Sequence, residues 1–583
     1  MHTDTTPSPA RSIVADAGAT HDLIVIGAGG AGMAAALFGA IRGLKVLLLE
    51  RTEFVGGTTA FSAGTVWIPN TPHAVTVGAR DSVAQAATYL DQVVGDHADR
   101  RLREAFLRQG PQALATLERE SHVKLRPYAL HPDYESDLDG ATLRGRAMEP
   151  LPFDGRQLGA HFALLRAPIP EFTVLGGMMV DRTDVNHLLA MTKRWASFKH
   201  AARLVLRQAR DRLTHPRGTR LVMGNALCAR LLQSLVERGV EIRTEAQVER
   251  LVTEGGRVTG IVLMHKGQRQ ALHARAGVVL ASGGFNRHPQ LRAQLLPAAA
   301  NYTPGAPGHT GEAITLALGA GAQIGDRNLQ NAFWAPVSVR RRADGSTAVF
   351  PHFVLDRAKP GTVVVNQAGQ RFVNESTSYH RFGAAMLAEH ARSACIPAYL
   401  IADARALKTY GLGMVRPGGM GLAGALKDGY VVSGQTLAEL AGRLGVPAAA
   451  LAQTVARFNQ HAARGEDPDF QRGRTAYQRN IGDAAAGGIN PNLGALQQAP
   501  YYAVKLYPGD IGASAGLVTD AQARVLGANQ QPIDGLYAVG NDMNSIMGGT
   551  YPGPGITIGP ALVFAHIAAA DAAGRLAGEA LAA

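Results

Sequence analysis

The stretch of sequence that decides the fold is Leu23-Ile24-Val25-Ile26-Gly27-Ala28-Gly29-Gly30-Ala31-Gly32. Its apolar run is typical of a strand buried in a parallel sheet, and it leads directly into the pattern G-x-G-x-x-G. A helix of small residues is predicted over 33–42, and a second strand over 45–49 ends at Glu50. An acidic residue about 20 positions after the glycines binds a ribose hydroxyl in dinucleotide-binding βαβ units. The stretch therefore predicts a dinucleotide-binding domain built on a parallel sheet.

Each glycine of the pattern has its own task in such a unit. The first makes the turn, the second lets the backbone approach a pyrophosphate, and the third packs the helix against the strand. The positive end of the helix then faces the anion. The residues expected at the cofactor from this unit are Gly27, Gly29, Gly30, Ala31, Gly32, Glu50 and Arg51.

A second loop rich in glycine and threonine follows at 56–64. Its backbone donors and hydroxyls suit the flavin end of a longer cofactor, which a domain that binds only NAD does not need. Together the two loops resemble the FAD-binding module of the fumarate reductase/succinate dehydrogenase flavoprotein superfamily. The resemblance implies FAD, and we expect it to be noncovalent because the loop contains no histidine for a flavin link. The residues expected at the cofactor from this loop are Gly57, Thr58, Thr59, Ser62, Ala63 and Gly64.

Later segments complete the predicted cofactor site. An apolar strand at 276–280 runs into small residues, and another strand is followed by a glycine-rich turn near 540. The loop at 548–560 opens a helix that is predicted to begin near 561, so that its amides and the positive helix end face the pyrimidine edge of a flavin. In related flavoproteins the residue near Val248 contacts the adenine through its backbone. The residues expected at the cofactor here are Val248, Ser282, Gly283, Gly284, Gly540, Asn541, Asp542, Gly555, Ile556 and Ile558.

The order of these segments predicts an α/β protein, with a Rossmann-like FAD-binding domain and an inserted α+β substrate domain. We expect the FAD-binding domain at 21–300 and 500–583, with a mostly helical insertion at about 150–220. Residues 301–499 differ in character and are expected to form the substrate, or catalytic, domain. Residues 1–20 are polar and are expected to form a flexible tail.

Two further patterns carry a sharper resemblance. Asn374 and Glu375 precede Tyr379 by a fixed spacing, and Tyr551 precedes Gly555 in a loop stiffened by prolines. Over nearly the whole chain, with these patterns as its most specific part, the sequence resembles the 3-ketosteroid Δ1-dehydrogenase family.

The resemblance implies a role for each of these residues. Tyr379 takes the α-proton of a ketone, while the Tyr551 hydroxyl and the Gly555 amide hold the ketone oxygen. A further tyrosine supports the base in that family, and Tyr134 is the candidate here. The β-hydride goes to the flavin. Because a tyrosine with a pKa near 10 is a poor base, we expect its surroundings to stabilise the Tyr379 phenolate and lower its pKa.

Several functions remain open at this point. The ketone is a 3-ketosteroid desaturated at Δ1, a ketosteroid desaturated at Δ4(5α), or a smaller cyclic ketone such as cyclohexanone. A fumarate-reductase-type ene-reductase would need arginines and a histidine to hold two carboxylates, where this chain offers tyrosines. A noncatalytic flavin redox protein is a third class. For the dehydrogenase, we expect an external electron acceptor of quinone or dye type.

Composition limits the other partners. The 583 residues carry 58 Lys and Arg against 46 Asp and Glu, a net charge of +12, but only 6% are aromatic. With no nucleic-acid-binding motif, we expect no nucleic-acid partner, whereas the charge favours peripheral contact with an anionic membrane. Two cysteines and no paired-histidine motif predict no metal site. We expect no transmembrane segment and a cytoplasmic location, and the oligomeric state stays open.

Overall fold

The structure is a computed structural model that describes Val14–Ala15 and residues 20–582. The predicted tail at 1–20 lies outside the described residues except for Val14–Ala15 and Thr20. The α-helices are Gly30–Ile41, His73–Thr76, Val83–Val94, Arg100–Glu120, Arg182–Leu189, Trp195–Asp211, Met223–Glu237, Pro289–Leu295, Glu312–Gly319, Tyr379–His390, Ala404–Tyr410, Leu422–Lys427, Leu437–Leu444, Ala448–Arg464, Ala476–Asn480 and Ile558–Ala582. The 3-10 helices are Gly57–Phe61, Gly95–His97, Gly155–Leu164, Pro170–Phe172, Pro417–Gly419, Ala484–Ala486 and Gly540–Asp542.

The first sheet has a parallel centre. His21–Ile26 lies between Val46–Leu49 and the last residues of Gln268–Leu280, and Pro532–Ala538 pairs on the far side of that strand. Glu241–Arg243 pairs with Val46–Leu49 at the opposite side, again in parallel. The remaining strands of this sheet are Val14–Ala15, Ala246–Glu254, Arg257–His265 and Arg524–Leu526. This arrangement, with the glycine-rich turn after His21–Ile26, confirms the predicted Rossmann-like α/β fold.

The second sheet is antiparallel, and it changes one predicted boundary. Its strands in spatial order are Thr347–Pro351, Ala332–Arg341, Tyr501–Ala513, Ala398–Ala402 and Thr362–Val365, with Val431–Gly434 also pairing with Tyr501–Ala513. The sequence predicts that residues from 500 onward belong to the FAD-binding domain. Because Tyr501–Ala513 is hydrogen-bonded on both sides within the second sheet, the chain leaves that sheet only after Ala513.

The residues just after 300 also differ from the prediction. Helix Glu312–Gly319 packs against strand Ala246–Glu254 of the first sheet. Several residues between 306 and 316 line the cleft beside the glycine-rich turn. The part of the chain that packs against the first sheet therefore extends beyond the predicted limit at 300.

The insertion at 150–220, predicted to be mostly helical, contains α-helices only in its second half. It begins with 3-10 turns over Gly155–Leu164 and a hairpin of Thr173–Val174 with Met178–Met179. Its α-helices, Arg182–Leu189 and Trp195–Asp211, pack against each other. The smaller strands elsewhere are Val66–Trp67, Leu125–Pro127, Ala147–Pro150, Phe153–Asp154 and Arg220–Leu221. Among the helices of residues 20–582, none is both long and apolar enough to cross a bilayer.

Candidate flavin site and tyrosine cluster

The turn after the first long strand is shaped by close backbone contacts. Gly27 has a φ of +104°, and a Cβ there would lie 2.4 Å from the carbonyl oxygen of Ala281. A Cβ at Gly32 would lie 1.7 Å from the carbonyl oxygen of Gly27. At Gly29, in contrast, a Cβ would meet no atom of the described residues within 4 Å. Packing therefore requires Gly27 and Gly32, whereas Gly29 presents open backbone of the kind that a pyrophosphate approaches.

Glu50 is fixed in orientation at the end of the second strand. Its Oε2 accepts a hydrogen bond from the Ala28 N–H at 3.1 Å, and its Oε1 accepts from the N–H and hydroxyl of Thr52 at 2.9 and 2.7 Å. A carboxylate has about four acceptor sites, so one remains for a ribose hydroxyl. Arg51 lies at the rim, where it pairs with Glu312 and donates to the Thr310 hydroxyl at 3.0 Å.

A cleft joins these residues to others that the sequence analysis did not find. The predicted residues that line it are Gly27, Gly29, Glu50, Arg51, Gly57, Val248, Ser282 and Gly283. The lining residues that were missed are Arg166, Ala306, Gly308, His309, Thr310, Glu312, Ala313 and Leu316, together with flanking apolar residues of the sheet. The glycine-rich run at 305–311 was a signal for most of them, but it lay beyond the assumed boundary at 300.

His309 provides a test of whether the cleft suits a polar cofactor. Burial lowers the pKa of His309 to about 4, so the imidazole is neutral at pH 7. Its Nε2 hydrogen-bonds with the Thr58 hydroxyl at 3.2 Å, but its buried Nδ1 has no partner among the described residues. Buried polar atoms are almost always satisfied. His309 Nδ1 therefore lacks a partner in the wall of the cleft that Gly29 also lines. A polar ligand such as FAD could supply that partner.

The second glycine-rich loop is held mainly by its own hydroxyls. Thr59 Oγ1 accepts from the Gly30 N–H at 3.3 Å, and Thr58 Oγ1 accepts from the Ala306 N–H at 2.8 Å. The Ser62 hydroxyl donates to the Thr59 carbonyl at 2.9 Å. Thr58, Thr59, Ser62, Ala63 and Gly64 do not line the cleft, so any cofactor contact by them stays a prediction.

Asp542 ties two predicted cofactor segments together. Its carboxylate accepts hydrogen bonds from the Ser282 N–H, the Ser282 hydroxyl at 3.0 Å and the Gly284 N–H at 2.7 Å. Burial raises the pKa of Asp542, while these donors act in the opposite direction. The carboxylate is engaged within the protein, and its evident role is to position the loop that lines the cleft.

A second cavity lies at the start of the C-terminal helix, Ile558–Ala582. The predicted residues Gly540, Asn541 and Ile556 line it, and Ile558 is the first residue of the helix. The lining residues that were missed are Phe333, Ala513, Met543, Asn544, Ser545, Ile546, Thr557, Pro560, Ala561 and Phe564. The positive end of the helix favours negative charge in this cavity, as expected for the pyrimidine edge of a flavin.

The structure brings the three predicted tyrosines together. The ring centroids of Tyr379 and Tyr551 are 5.1 Å apart, and Tyr134 lies 5.5 Å from Tyr379 and 5.7 Å from Tyr551. All three side chains are buried. They come from distant parts of the chain, and the fold brings them into one cluster. Their catalytic roles stay a prediction.

Other aromatic side chains surround this tyrosine cluster. Tyr477, which the sequence analysis missed, is buried with its ring centroid 4.6 Å from that of Tyr134. Phe353 packs against Tyr379 at 4.8 Å, and Phe333 packs against Tyr551 at 5.3 Å. Because Phe333 also lines the second cavity, it connects the cluster to the predicted flavin position.

Gly555 is required where the resemblance places it. Its φ is +92°, and a Cβ there would lie 2.4 Å from the carbonyl oxygen of Thr65. The loop around it is fixed by the Pro552 carbonyl, which accepts from the Tyr134 N–H at 2.8 Å and from the Tyr89 hydroxyl at 2.5 Å. The same loop therefore positions Tyr551, Gly555 and Tyr134.

Tyr379 is the first residue of the helix Tyr379–His390, with Ser378 as its N-cap. The preceding segment is anchored by Glu375, which is fully buried and pairs with Arg371 at 2.6 Å and Arg472 at 3.3 Å. Burial raises the pKa of Glu375, but the two arginines lower it more, so the net shift is downward. This ion pairing fixes the start of the helix that presents Tyr379, where a helix end favours a phenolate.

The pKa values of the cluster differ from the sequence-based expectation. Burial raises the pKa of Tyr379 well above its usual value near 10, and the neighbouring Tyr134 and Tyr551 raise it further. Burial also raises the pKa of Tyr551 to about 12. The expected lowering is therefore wrong for the protein surroundings of Tyr379, because an apolar aromatic shell disfavours the charged form.

His380 does not compete with Tyr379 as a base. Its Nδ1 accepts a hydrogen bond from the Trp334 N–H at 3.1 Å, and burial lowers its pKa to about 4. Elsewhere, among residues 20–582, His461, Asp467 and Asp469 could approach one ion, but Asp467 is paired with Arg371 at 2.8 Å.

Comparison with known proteins identifies the class. Residues 22–558 match the family described as FAD binding domain. The chain is 40% identical over 558 residues to a 4-oxocyclohex-2-ene-1-carboxylate 5-dehydrogenase of Sinomonas cyclohexanicum, covering 95% of this chain and 93% of that one. It is 37% identical over 584 residues to a 3-oxosteroid 1-dehydrogenase of Mycobacterium tuberculosis, covering 95% and 99%. The crystal structure of 3-ketosteroid Δ1-dehydrogenase from Sterolibacterium denitrificans superposes with a TM-score of 0.89 at 37% identity, covering 95% of this chain and 100% of that one.

The fold and the cleft define a flavoprotein, and the chain belongs to this FAD-binding family. Within it, the chain is an FAD-dependent dehydrogenase of the group that includes the 3-ketosteroid Δ1-dehydrogenases. FAD as the cofactor is thereby confirmed, as is the resemblance drawn from the tyrosine patterns.

Two glycine variants test the cleft. Gly29→Val is expected to leave the protein folded but to abolish FAD binding, because its side chain has room in the protein and fills the space that the pyrophosphate needs. Gly32→Val is expected to lower the melting temperature strongly through its clash with Gly27. Flavin absorbance after gel filtration and thermal unfolding of the apoproteins measure the two effects. Stoichiometric FAD in Gly29→Val would contradict this assignment.

Proposed function

We propose that the protein desaturates a six-membered cyclic ketone next to its carbonyl group, with a 3-ketosteroid as the leading substrate class. The meeting of Tyr134, Tyr379 and Tyr551 beside the second cavity carries the proposal. Bound FAD, held without a covalent link, supplies the hydride acceptor. The electrons then leave to an external acceptor of quinone or dye type.

Two donors hold the ketone oxygen in this proposal. They are the Tyr551 hydroxyl and the Gly555 amide, which one rigid loop presents together. Donors aimed at a developing enolate oxygen stabilise it more than the ketone, and losing one typically costs about 3–4 kcal/mol of transition-state stabilisation. Burial raises the pKa of Tyr551 to about 12, so its hydroxyl stays protonated and able to donate.

Tyr379 takes the α-proton, and the positive end of the helix that it starts favours its phenolate. Tyr134 lies beside it and is the candidate for the tyrosine that supports the base. Burial raises the pKa of Tyr134, and Arg357 acts in the opposite direction. The buried Arg357 guanidinium donates hydrogen bonds to uncharged acceptors. These are the backbone carbonyls of His352, Phe353, Glu375 and Thr377. The positive charge of Arg357 lowers the pKa values of Tyr134 and Tyr477, against the effect of their burial.

A raised pKa also has a chemical advantage. Once formed, a phenolate with a high pKa is a stronger base toward a weakly acidic ketone. Its population is small at pH 7, so the reaction rate should depend on pH wherever deprotonation of Tyr379 limits it.

A smaller ketone is the second candidate substrate. The relative at 40% identity is named for a cyclohexene ketone that carries a carboxylate. Its six-membered ketone ring has the same reacting atoms as the first ring of a 3-ketosteroid, so the same tyrosines serve both. The two candidates differ only in what surrounds that ring.

The domain division is part of the proposal. We assign the FAD-binding domain to residues 21 to about 320 and those after 513, and the substrate domain to the residues between. Tyr379 then belongs to the substrate domain, and Tyr551 and Gly555 belong to the FAD-binding domain. The base and the oxyanion donors meet only where the two domains face each other.

Flavin bleaching under anaerobic conditions tests the substrate class. We expect 4-androstene-3,17-dione to reduce the bound FAD and succinate to leave it oxidised. Reduction by 4-oxocyclohex-2-ene-1-carboxylate with a higher kcat/KM than the steroid would favour the second candidate. Bleaching by succinate alone would overturn ketone desaturation.

Tyr551→Phe tests the ketone clamp. Loss of one of two donors should lower the rate of flavin reduction by about 10²–10³-fold. The pH dependence of the residual rate should persist, because the base is still present. An unchanged reduction rate would reduce Tyr551 to a packing residue.

Tyr379→Phe tests the base. In the wild-type protein the reduction rate should rise with pH and still be rising at pH 9, because burial holds the Tyr379 pKa above 10. The variant should bind FAD, lose this pH dependence and react about 10²–10⁴-fold more slowly. Tyr399→Phe is the matched control, since it removes another buried hydroxyl, bonded to the Leu444 carbonyl at 3.1 Å, outside the cluster. A Tyr379→Phe protein with the wild-type pH profile would move the role of base to another residue.

A further inference from the structure

The helix Trp195–Asp211 packs one face against the protein and leaves an apolar face uncovered. The covered face consists of the buried residues Ser197, Ala201, Leu204, Gln208 and Asp211. The second face is open to solvent, with Trp195 68%, Phe198 46%, Val205 42% and Leu206 70% exposed. At about 3.6 residues per turn these four side chains lie on one side of the helix, next to the covered stripe.

Neighbouring residues extend this open face. The rings of Trp195 and Phe198 stack with centroids 5.3 Å apart. Leu213, just beyond the helix, is 84% exposed. Leu175, at the tip of the adjacent hairpin, is 61% exposed, and its carbonyl accepts a hydrogen bond from Gln208 at 3.5 Å. So much exposed apolar surface in one place marks an interaction site.

Basic side chains border the open face. The exposed lysines and arginines of this segment are Lys193, Arg194, Lys199, Arg203, Arg210 and Arg212. The acidic residue between 190 and 217 is Asp211, which is buried and accepts hydrogen bonds from Thr219 at 2.8 Å. The segment therefore presents an apolar stripe beside unneutralised positive charge.

We propose that this face docks the protein on an anionic lipid bilayer. Large apolar residues on one side and lysines and arginines beside them are the features of a helix that lies in the plane of a membrane interface. The apolar side chains enter the headgroup region, and the basic ones contact anionic lipids. A second copy of the chain fits less well, since a symmetric contact would bring two basic helices together.

The docking helix belongs to a segment that reaches toward the tyrosine cluster. Glu171, in the same insertion, pairs with Arg342 at 2.8 Å, and Phe172 packs against Phe350 at 5.5 Å. Three residues further along the chain from Phe350, Phe353 packs against Tyr379. Docking would thus hold the active site close to the bilayer, where an apolar ketone or a quinone-type acceptor partitions.

Tryptophan fluorescence reports this docking selectively. Trp67 and Trp334 are fully buried, so Trp195 is the exposed one of the three tryptophans. We expect the holoprotein to show a blue shift and quenching by brominated acyl chains when it is mixed with phosphatidylcholine vesicles that contain 30% phosphatidylglycerol. Pure phosphatidylcholine vesicles should bind at least about tenfold more weakly, and added salt should release the protein.

Variants separate docking from catalysis. The triple variant Trp195→Ser, Phe198→Ser, Leu206→Gln should lose at least about tenfold in co-flotation with the anionic vesicles while keeping its activity with a soluble dye acceptor. Ile489→Ser with Met420→Gln is the matched control, because these residues are 77% and 64% exposed elsewhere, and it should float like wild type. Equal binding to both vesicle types, undiminished flotation of the triple variant, or a dimer that the triple variant abolishes would each overturn the proposal. None of these outcomes depends on the substrate proposed above.

Discussion

The packing of the first helix onto the turn before it is the constraint on which the rest of the structure depends. A Cβ at Gly32 would lie 1.7 Å from the carbonyl of Gly27, so the helix can start this close to the strand only with glycine there. The close start leaves the Gly29 backbone open to a phosphate and brings Glu50 within hydrogen-bond distance of the Ala28 N–H. This one turn is the centre around which the other features are arranged: the cleft, the loops that line it and the cavity at the C-terminal helix.

Burial has two opposite effects on the chemistry of the tyrosine cluster. A buried aromatic shell excludes water, and this strengthens the hydrogen bonds that would hold a ketone. The same burial raises the pKa of Tyr379. In the proposed mechanism, the positive end of the helix that starts at Tyr379 favours the phenolate. The buried Arg357 acts against the effect of burial on the neighbouring Tyr134, whose pKa it lowers.

The parts of the structure that the sequence predicted are those that local patterns encode. The βαβ unit, Glu50 and the Tyr551 loop each lie within a short segment whose spacing carries the chemistry. Tyr477 and Arg166 could not be found in this way, because only tertiary contacts bring them to the site. The pairing of Tyr501–Ala513 in the second sheet could not be predicted for the same reason, since its partner strands lie about 70 to 180 residues away along the chain.

Function depends on the side chains of a site and not on the fold alone. A reductase of a dicarboxylate must neutralise two negative charges, which calls for arginines that are free to reach the substrate. In this chain the buried Arg357 is bound to backbone carbonyls, and the groups that converge are neutral phenols and phenylalanines. Such a surface binds an uncharged ring and offers its hydroxyls to a single oxygen atom. The arrangement therefore suits the proposed withdrawal of hydrogen from a ketone, because the charge that develops there is on one enolate oxygen. In the proposed mechanism, the Tyr551 hydroxyl and the Gly555 amide stabilise that oxygen and Tyr379 is the base.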